Sequence, residues 1–124
     1  MKIIGFVNIE NEVKMVLKSD SSLMVNRKPF FIPDWCEDIR YAPCIVVRIC
    51  KLGKHVATKF AERYYDCIAP ALNIYAEDYR QKGDSIRAWA FDNALPVGTF
   101  MSLDKYLPND LIISIDQAIT EVSR

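Results

Sequence analysis

The sequence predicts a mixed α+β fold in a single domain that covers residues 1–124. The chain has 124 residues with 51% hydrophobic content, which is enough for one sizeable core but leaves no room for a second domain. Apolar runs rich in β-branched residues at 1–7 and 44–50 are typical of strands. A four-residue apolar repeat over residues 55–68 is typical of a helix that packs one face against a core.

The first predicted elements are a pair of strands. Residues 1–7 are apolar and β-branched and contain no helix cap, so we predict a short strand there. A polar turn follows at residues 8–12, and residues 13–17 predict a second strand.

The run from residue 44 to residue 50 predicts a strand that is buried on both faces. It is continuously apolar except for Arg48. Pro43 precedes the run, and a turn that contains Gly53 follows it. Strands buried on both faces have this unbroken pattern rather than an alternating one.

The strongest helix prediction covers residues 55–68. Apolar side chains recur there every four residues with two alanines beside them: Val56, Phe60, Tyr64, Ile68, Ala57 and Ala61. Beyond this segment, residues 72–75 predict a short strand. Residues 76–81 predict a helical turn that ends near Gly83.

A terminal helix is predicted near the end of the chain. Ser114 and Gln117 have the spacing of a capping box, in which each side chain bonds a backbone N–H at the start of a helix. Ile115, Ile119 and Val122 supply an apolar stripe for this helix.

The balance of charges excludes two classes of partner. Sixteen basic and sixteen acidic residues give a formal net charge of zero, so the chain lacks the excess positive charge that attracts nucleic acid or an anionic membrane. The first seven residues are too short for a signal peptide, and no apolar run approaches about 18 residues. We therefore expect a cytoplasmic protein.

The four cysteines do not form a recognisable metal or redox motif. Cys36, Cys44, Cys50 and Cys67 contain no Cys-x-x-Cys pair. In a reducing compartment, a buried cysteine behaves as a small hydrophobic residue. We expect these side chains to pack in the core rather than to form disulfides.

Several segments of the chain resemble one known protein family. They lie at residues 18–23, 28–34, 41–49, 53–55, 59–61, 63–66, 91–92 and 96–98, with weaker likeness at 113–117 and 122–124. Together they resemble the fumarylacetoacetate hydrolase (FAH) family over roughly residues 16–100. The resemblance implies a mainly β fold, with a mixed β-sheet or β-roll core and a few short helices. It also implies a shortened member, since the family's later segments are missing.

The resemblance also implies an active site that has lost its chemistry. Members of the family hold Mg²⁺ or Mn²⁺ with carboxylates, and the positions that match those carboxylates are Ala42, Cys44 and Asn73. The family's active-site lysine corresponds to Trp89, and the family's N-terminal histidine motif is missing. We therefore predict no catalytic residue, no metal ligand and no cofactor. The matching positions define a remnant pocket: Lys18, Ala42, Cys44, Asn73, Asp78, Trp89 and Asp92.

Two interpretations of function follow. The first is a pseudoenzyme, a non-catalytic relative that serves as an interaction module or binds a small carboxylate metabolite. Its partner would be a second copy in a homodimer, or a related protein. The alternative is a metal-dependent hydrolase, decarboxylase or isomerase that acts on diketo or acylpyruvate-type acids. Its Mg²⁺ or Mn²⁺ would be held by displaced ligands from Glu77, Asp78 or Asp92.

Some side chains keep alternative interpretations. The Cys44 thiol is either inert filling or, if it lies near Lys18, an activated nucleophile. Glu77, Asp78 and Asp92 also suit capping and turn roles. Trp35 and Trp89 are candidates for covering sheet edges that lack neighbours. A decaying gene product without selected activity is a third possibility.

Overall fold

The protein is described by a computed structural model over residues 1–25, 28–102, 110–115 and 118–123, with the backbone alone for the last two ranges. The fold is mainly β with short helices, as the family resemblance implies. The strands are β1 Ile3–Ile9, β2 Glu12–Lys18, β3 Leu23–Met24, β4 Ile39–Ile49, β5 Tyr65–Ala76, β6 Leu95–Pro96, β7 Met101–Ser102, β8 Asp110–Ile115 and β9 Ala118–Ser123. The helices are α1 Glu77–Gln81 and α2 Ser85–Trp89, with 3-10 segments at Asp20–Ser22 and Thr58–Arg63.

Strands β1 and β2 form the predicted hairpin at the start of the chain. They pair antiparallel from Ile3 opposite Lys18 to Ile9 opposite Glu12. Glu10 and Asn11 make the two-residue turn with φ angles of 53° and 63°. Positive φ at both turn positions matches the twist of the flanking strands, and asparagine tolerates this conformation well.

The chain divides into two compact units, and the first comprises Met1–Ala42 and Leu72–Val97. One of its core clusters consists of Cys36, Ile74, Ala76, Phe91 and Ala94. Another consists of Val16, Ala88 and Trp89. Strands β3 and β6 pair in parallel within this unit.

The second unit comprises Pro43–Ala71 and Gly98–Arg124. Strand β7 pairs with β5 here, and Arg48 forms a double hydrogen bond with Asp66 at 2.7 and 3.0 Å. Strands β8 and β9 form an antiparallel hairpin. Strands β4 and β5 run through both units, and the strand order of their sheet is β4-β5-β7. The single-domain organisation stays a prediction.

The helix predicted over residues 55–68 is wrong. Only Thr58–Arg63 is helical, in the tight 3-10 form, and β5 begins at Tyr65. His55 has a φ angle of 57°, which no right-handed helix contains. A helix this short gains little stability of its own, so the pairing of residues 65–68 in a strand overrides the four-residue period. The predicted strand at residues 72–75 and helical turn at 76–81 are confirmed as the end of β5 and as α1.

The predicted terminal helix is also wrong. Its apolar residues fall in strands β8 and β9, while the capping-box residue Gln117 lies outside the described residues. This region contains four isoleucines, a threonine and a valine: Ile112, Ile113, Ile115, Ile119, Thr120 and Val122. Their β-branched side chains lose rotamer freedom in a helix and suit a pleated strand, which explains the hairpin.

Strand β4 is longer and more exposed than the sequence predicts. The strand at residues 44–50 is confirmed, but Ile45, Val47 and Ile49 are 37–66% exposed, so burial on both faces is wrong. The reason is that, among the strands that the structure describes, β4 lies at the edge of its sheet and pairs with β5 alone. The prediction of core cysteines holds for Cys36 and is wrong for Cys50, which is exposed.

None of the helices in the described part of the chain is long and apolar enough to cross a membrane.

Candidate functional site

The first unit contains a buried lysine whose charge is met by backbone carbonyls. Lys18 ends β2 and is only 5% exposed. Its Nζ donates hydrogen bonds to the carbonyl oxygens of Ile74 at 2.9 Å, Trp89 at 2.9 Å and Ala94 at 3.1 Å. An ammonium group has three N–H donors, so these three carbonyls match its hydrogen-bonding capacity. We call this arrangement the carbonyl cage.

Aromatic rings complete the surroundings of Lys18. Its Nζ lies 5.9 Å from the ring centre of Trp89 and 6.0 Å from that of Phe91, within the range of a cation–π interaction. Trp89 is 5% exposed and stacks on Tyr75 at a centroid distance of 4.7 Å. A buried ammonium is costly unless it is fully hydrogen-bonded, and the cage and the rings together supply that compensation.

Two serines that follow Lys18 in the chain also donate hydrogen bonds to backbone carbonyls. Ser19 Oγ donates to the carbonyl of Ala90 at 3.0 Å, and Ser22 Oγ donates to the carbonyl of Phe91 at 2.9 Å. Ser22 is fully buried. The segment at residues 18–22 is thereby bonded to the segment at 89–94, two of the stretches that carry the family resemblance.

Asn73 is an incompletely satisfied polar residue of this unit. It lies on β5 and is 7% exposed, and its Oδ1 atom has no hydrogen-bond partner within the described residues. Buried polar atoms without a partner are rare in folded proteins and call for an explanation. The family resemblance assigns Asn73 to the position of a carboxylate, and that assignment stays a prediction.

The two carboxylates that begin α1 are bonded within the protein. Glu77 is 3% exposed, and its carboxylate accepts hydrogen bonds from both Nε and Nη2 of Arg80 and, at 3.1 Å, from Gln81. Arg40 adds an ion pair at 3.8 Å. The bonds from Arg80 lower the pKa of Glu77 and outweigh the opposing effect of burial.

Asp78 fixes the loop before β4. It accepts hydrogen bonds from the Glu37 backbone N–H at 3.3 Å and from the Cys36 thiol at 3.4 Å. Burial acts to raise the pKa of Asp78, but these two bonds together with hydrogen bonds from the backbone of Asp78 and Tyr79 outweigh it, so the pKa is lowered. Burial, and then Asp78 itself, raise the pKa of the Cys36 thiol. These contacts join Asp78 to a loop distant in sequence, so the capping or turn role considered for Asp78 from the sequence stays a prediction.

The structure brings together only part of the predicted remnant pocket. Lys18 and Trp89 are in direct contact, and Asn73 directly precedes the cage residue Ile74. Ala42 and Asp92 are exposed in the first unit. Cys44 is half-buried and belongs to the second unit, so the activated-thiol hypothesis stays a prediction.

Sequence reasoning did not foresee the carbonyl cage or the Glu77–Arg80 pair. Residue spacing in the sequence points to each of them. Lys18 follows Val16 by two residues in a strand, so the two side chains share one face, and Val16 is buried. Glu77 and Arg80 are three residues apart, the spacing at which side chains meet along a helix.

The side chains at the three positions that the resemblance assigns to the metal ligands do not fit a hard divalent ion. Such ions take carboxylate and other oxygen ligands, whereas Ala42 has no ligand atom, Cys44 carries a soft sulfur, and Asn73 supplies one neutral oxygen. Over the described residues, no three side chains of the histidine, cysteine, aspartate or glutamate type lie close enough to hold a metal. Glu77, the nearest substitute in sequence, is engaged by Arg80.

Comparison with known proteins identifies the fold. The chain has the FAH-like fold, and the family resemblance read from the sequence is confirmed at the level of the fold. No protein-family model matches the sequence, and no curated protein is similar enough to count as a match.

Three solved structures illustrate the similarity. A protein from Yersinia pestis CO92, assigned to the FAH family, shares 21% identity over 94% of this chain and 59% of its own length, with a TM-score of 0.77. A 5-carboxymethyl-2-hydroxymuconate delta-isomerase from Mycobacterium smegmatis shares 18% identity over 98% of this chain and 52% of its own, with a TM-score of 0.78.

The third is a fumarylpyruvate hydrolase from Pseudomonas aeruginosa in complex with Mn²⁺ and pyruvate. It shares 18% identity over 90% of this chain and 55% of its own length, with a TM-score of 0.72. The chain thus spans roughly half to three fifths of the length of these neighbours. Over that span it shares their fold.

Proposed function

We propose that the protein is a pseudoenzyme of the FAH family, a non-catalytic module that associates with a partner chain or binds a small carboxylate. The observation that carries this proposal is the carbonyl cage. The Lys18 ammonium donates to three main-chain carbonyls and lies beside a buried, stacked Trp89, so the group is used to hold the fold together. A catalytic ammonium would instead direct its donors at a substrate oxyanion.

The alternative, a metal-dependent enzyme for diketo or acylpyruvate-type acids, draws on the neighbour that was solved with Mn²⁺ and pyruvate. It requires new carboxylate ligands from Glu77, Asp78 or Asp92. The contacts of Glu77 with Arg80 and of Asp78 with Glu37 weigh against it, because a ligand must leave those partners before it can bind a metal.

The partner surface that we propose is one face of the β1–β2 hairpin, which we call the hairpin face. Its side chains are large, apolar and 51–73% exposed: Ile4, Phe6, Val13, Met15 and Leu17. Ile4 lies opposite Leu17, and Phe6 lies opposite Met15, so these side chains form one continuous strip across two strands. The other face of the hairpin packs Val16 against Trp89.

A second copy of the chain is the occupant that we propose for the hairpin face. Burying the exposed part of each of these five side chains contributes about 1–2 kcal/mol, so a pair of such faces supplies a substantial driving force for association. Monomeric proteins rarely expose apolar strips of this extent. Both copies present the same strip, which suits a symmetric homodimer. A related protein is the other candidate partner.

Replacing Phe6 by lysine should convert the wild-type dimer into a monomer. The substitution places a charge at the middle of the hairpin face, where it would be buried without a partner in the dimer. Because Phe6 is 73% exposed in the single chain, the folded monomer should lose little stability. Light scattering at micromolar concentration measures the mass directly.

The matched control is Leu52→Lys, which adds the same charge at a fully exposed apolar residue of the second unit. This variant should remain a dimer. A wild-type protein that is monomeric throughout the micromolar range, or an F6K variant that dimerises like the wild type, would remove the hairpin face as the self-association surface.

A further inference from the structure

The first unit contains a groove that neither the family resemblance nor the carbonyl cage accounts for. Its volume is about 490 Å³, within the range of small-molecule sites. Three aromatic residues, two apolar residues in and just after α2, and one arginine line it: Trp35, Tyr79, Phe91, Ile86, Ala90 and Arg87.

The walls of the groove are rings held at right angles to one another. Trp35 meets Tyr79 edge to face at 5.2 Å and Phe91 edge to face at 5.6 Å. The Tyr79 hydroxyl donates to the Trp35 carbonyl at 3.1 Å, which fixes these two residues relative to each other. Trp35 nevertheless remains 43% exposed, and Ile86 is 77% exposed. An open surface of fixed rings offers both faces and edges on which another flat ring can stack.

The rim of the groove carries positive charge. The Arg87 guanidinium lies 5.3 Å from the Tyr79 ring centre, and the Lys82 ammonium lies 5.0 Å from it. Asp84 is paired with Nε of Arg87 at 3.6 Å. In the described part of the chain, the two terminal nitrogens of Arg87 make no hydrogen bond. Through two such nitrogens, an arginine can bind a carboxylate with two parallel hydrogen bonds.

We infer that this groove binds a small aromatic carboxylate, with its ring against the exposed side of Trp35 and its carboxylate on Arg87. Charge complementarity selects the anion, and the ring walls select a flat ligand over a puckered one. The inference deepens the proposed function, since it rests on the protein binding a small carboxylate without catalysis. It names the ligand class and a site separate from the carbonyl cage.

Calorimetric titration with 2-naphthoate in the presence of a metal chelator tests the inference. Three comparisons define the site: naphthalene-2-carboxamide removes the charge, cyclohexanecarboxylate removes the flat ring, and Arg87→Gln removes the guanidinium. Each should weaken binding by about tenfold or more, because a charge-assisted double hydrogen bond or an aromatic contact is lost. The matched control is Arg63→Gln, since Arg63 also lies over an aromatic ring, Phe60, at 4.7 Å but belongs to the second unit.

Binding of 2-naphthoate that Arg87→Gln weakens and Arg63→Gln leaves unchanged supports the groove. No binding at millimolar ligand, or equal binding by the Arg87→Gln variant, overturns it. The chelator keeps this test independent of metal chemistry. Turnover of substrate with Mn²⁺ would contradict the pseudoenzyme proposal. Binding to the groove is decided separately, by the ligand comparisons and by the Arg87→Gln and Arg63→Gln variants.

Discussion

Replacing Trp89 by lysine, the residue that the sequence resemblance predicts for a family member at this position, should strongly destabilise this protein. Trp89 is 5% exposed and stacked on Tyr75, and removing such an indole costs about 3–5 kcal/mol. The new ammonium would also lie roughly 6 Å from that of Lys18, since Lys18 Nζ is 5.9 Å from the Trp89 ring centre. Two like charges at that separation repel by about 3 kcal/mol at an effective dielectric constant of 20. We expect a loss of at least about 4 kcal/mol in the free energy of unfolding.

Urea unfolding of Trp89→Lys beside Trp89→Leu separates the two causes. Leucine leaves a comparable cavity without a charge, so the difference between the variants reports the repulsion from Lys18. Lysine should be the more damaging substitution by about 2 kcal/mol or more. If Trp89→Lys is instead within about 1 kcal/mol of the wild type, position 89 accepts a charge as a working family site would, and the packing role of Trp89 is wrong.

Removing the ammonium of Lys18 should have a comparable effect. Methionine has a similar length but no hydrogen-bond donor. Lys18→Met therefore leaves the carbonyls of Ile74, Trp89 and Ala94 without the hydrogen bonds that the ammonium donates. Removing one partner from a buried charged network costs about 3–5 kcal/mol, although part of this is returned because the cost of burying the charge disappears. We expect a fall of about 3 kcal/mol in the free energy of unfolding.

Lys14→Met is the matched control for this prediction. Lys14 lies on the same strand but is exposed, so the same substitution there should change stability by less than about 0.5 kcal/mol. Chemical denaturation of both variants provides the comparison. Equal stability of Lys18→Met and the wild type would show that the carbonyl cage does not hold the fold together.

The first hairpin could be predicted from sequence because local preference and tertiary structure agree there. Residues 1–7 and 13–17 are apolar and β-branched, and a polar turn that tolerates positive φ separates them. The helix predicted at residues 55–68 fails for the opposite reason. Its four-residue period is a local signal, while the pairing of β5 depends on strands that are distant in sequence, and short helices cannot compete with that pairing.

The candidate site was predictable in part. The resemblance selected Lys18, Asn73 and Trp89, and the structure makes each of them buried. It could not show that Lys18 donates to three carbonyls, because those carbonyls come from separate parts of the chain and carry no side-chain signal. The groove was missed as well, since Trp35 and Tyr79 meet only through the fold.

We propose that this FAH-like chain does not carry out the metal-dependent chemistry of the family. Calorimetric titration of the chelator-treated wild-type protein with Mn²⁺ and with Mg²⁺ tests it most directly, when the experiment is repeated with oxaloacetate or an acylpyruvate present and turnover is followed. We expect heats no larger than those of dilution and no turnover. Stoichiometric Mn²⁺ binding accompanied by turnover would contradict it and would show that other oxygen ligands have rebuilt the site.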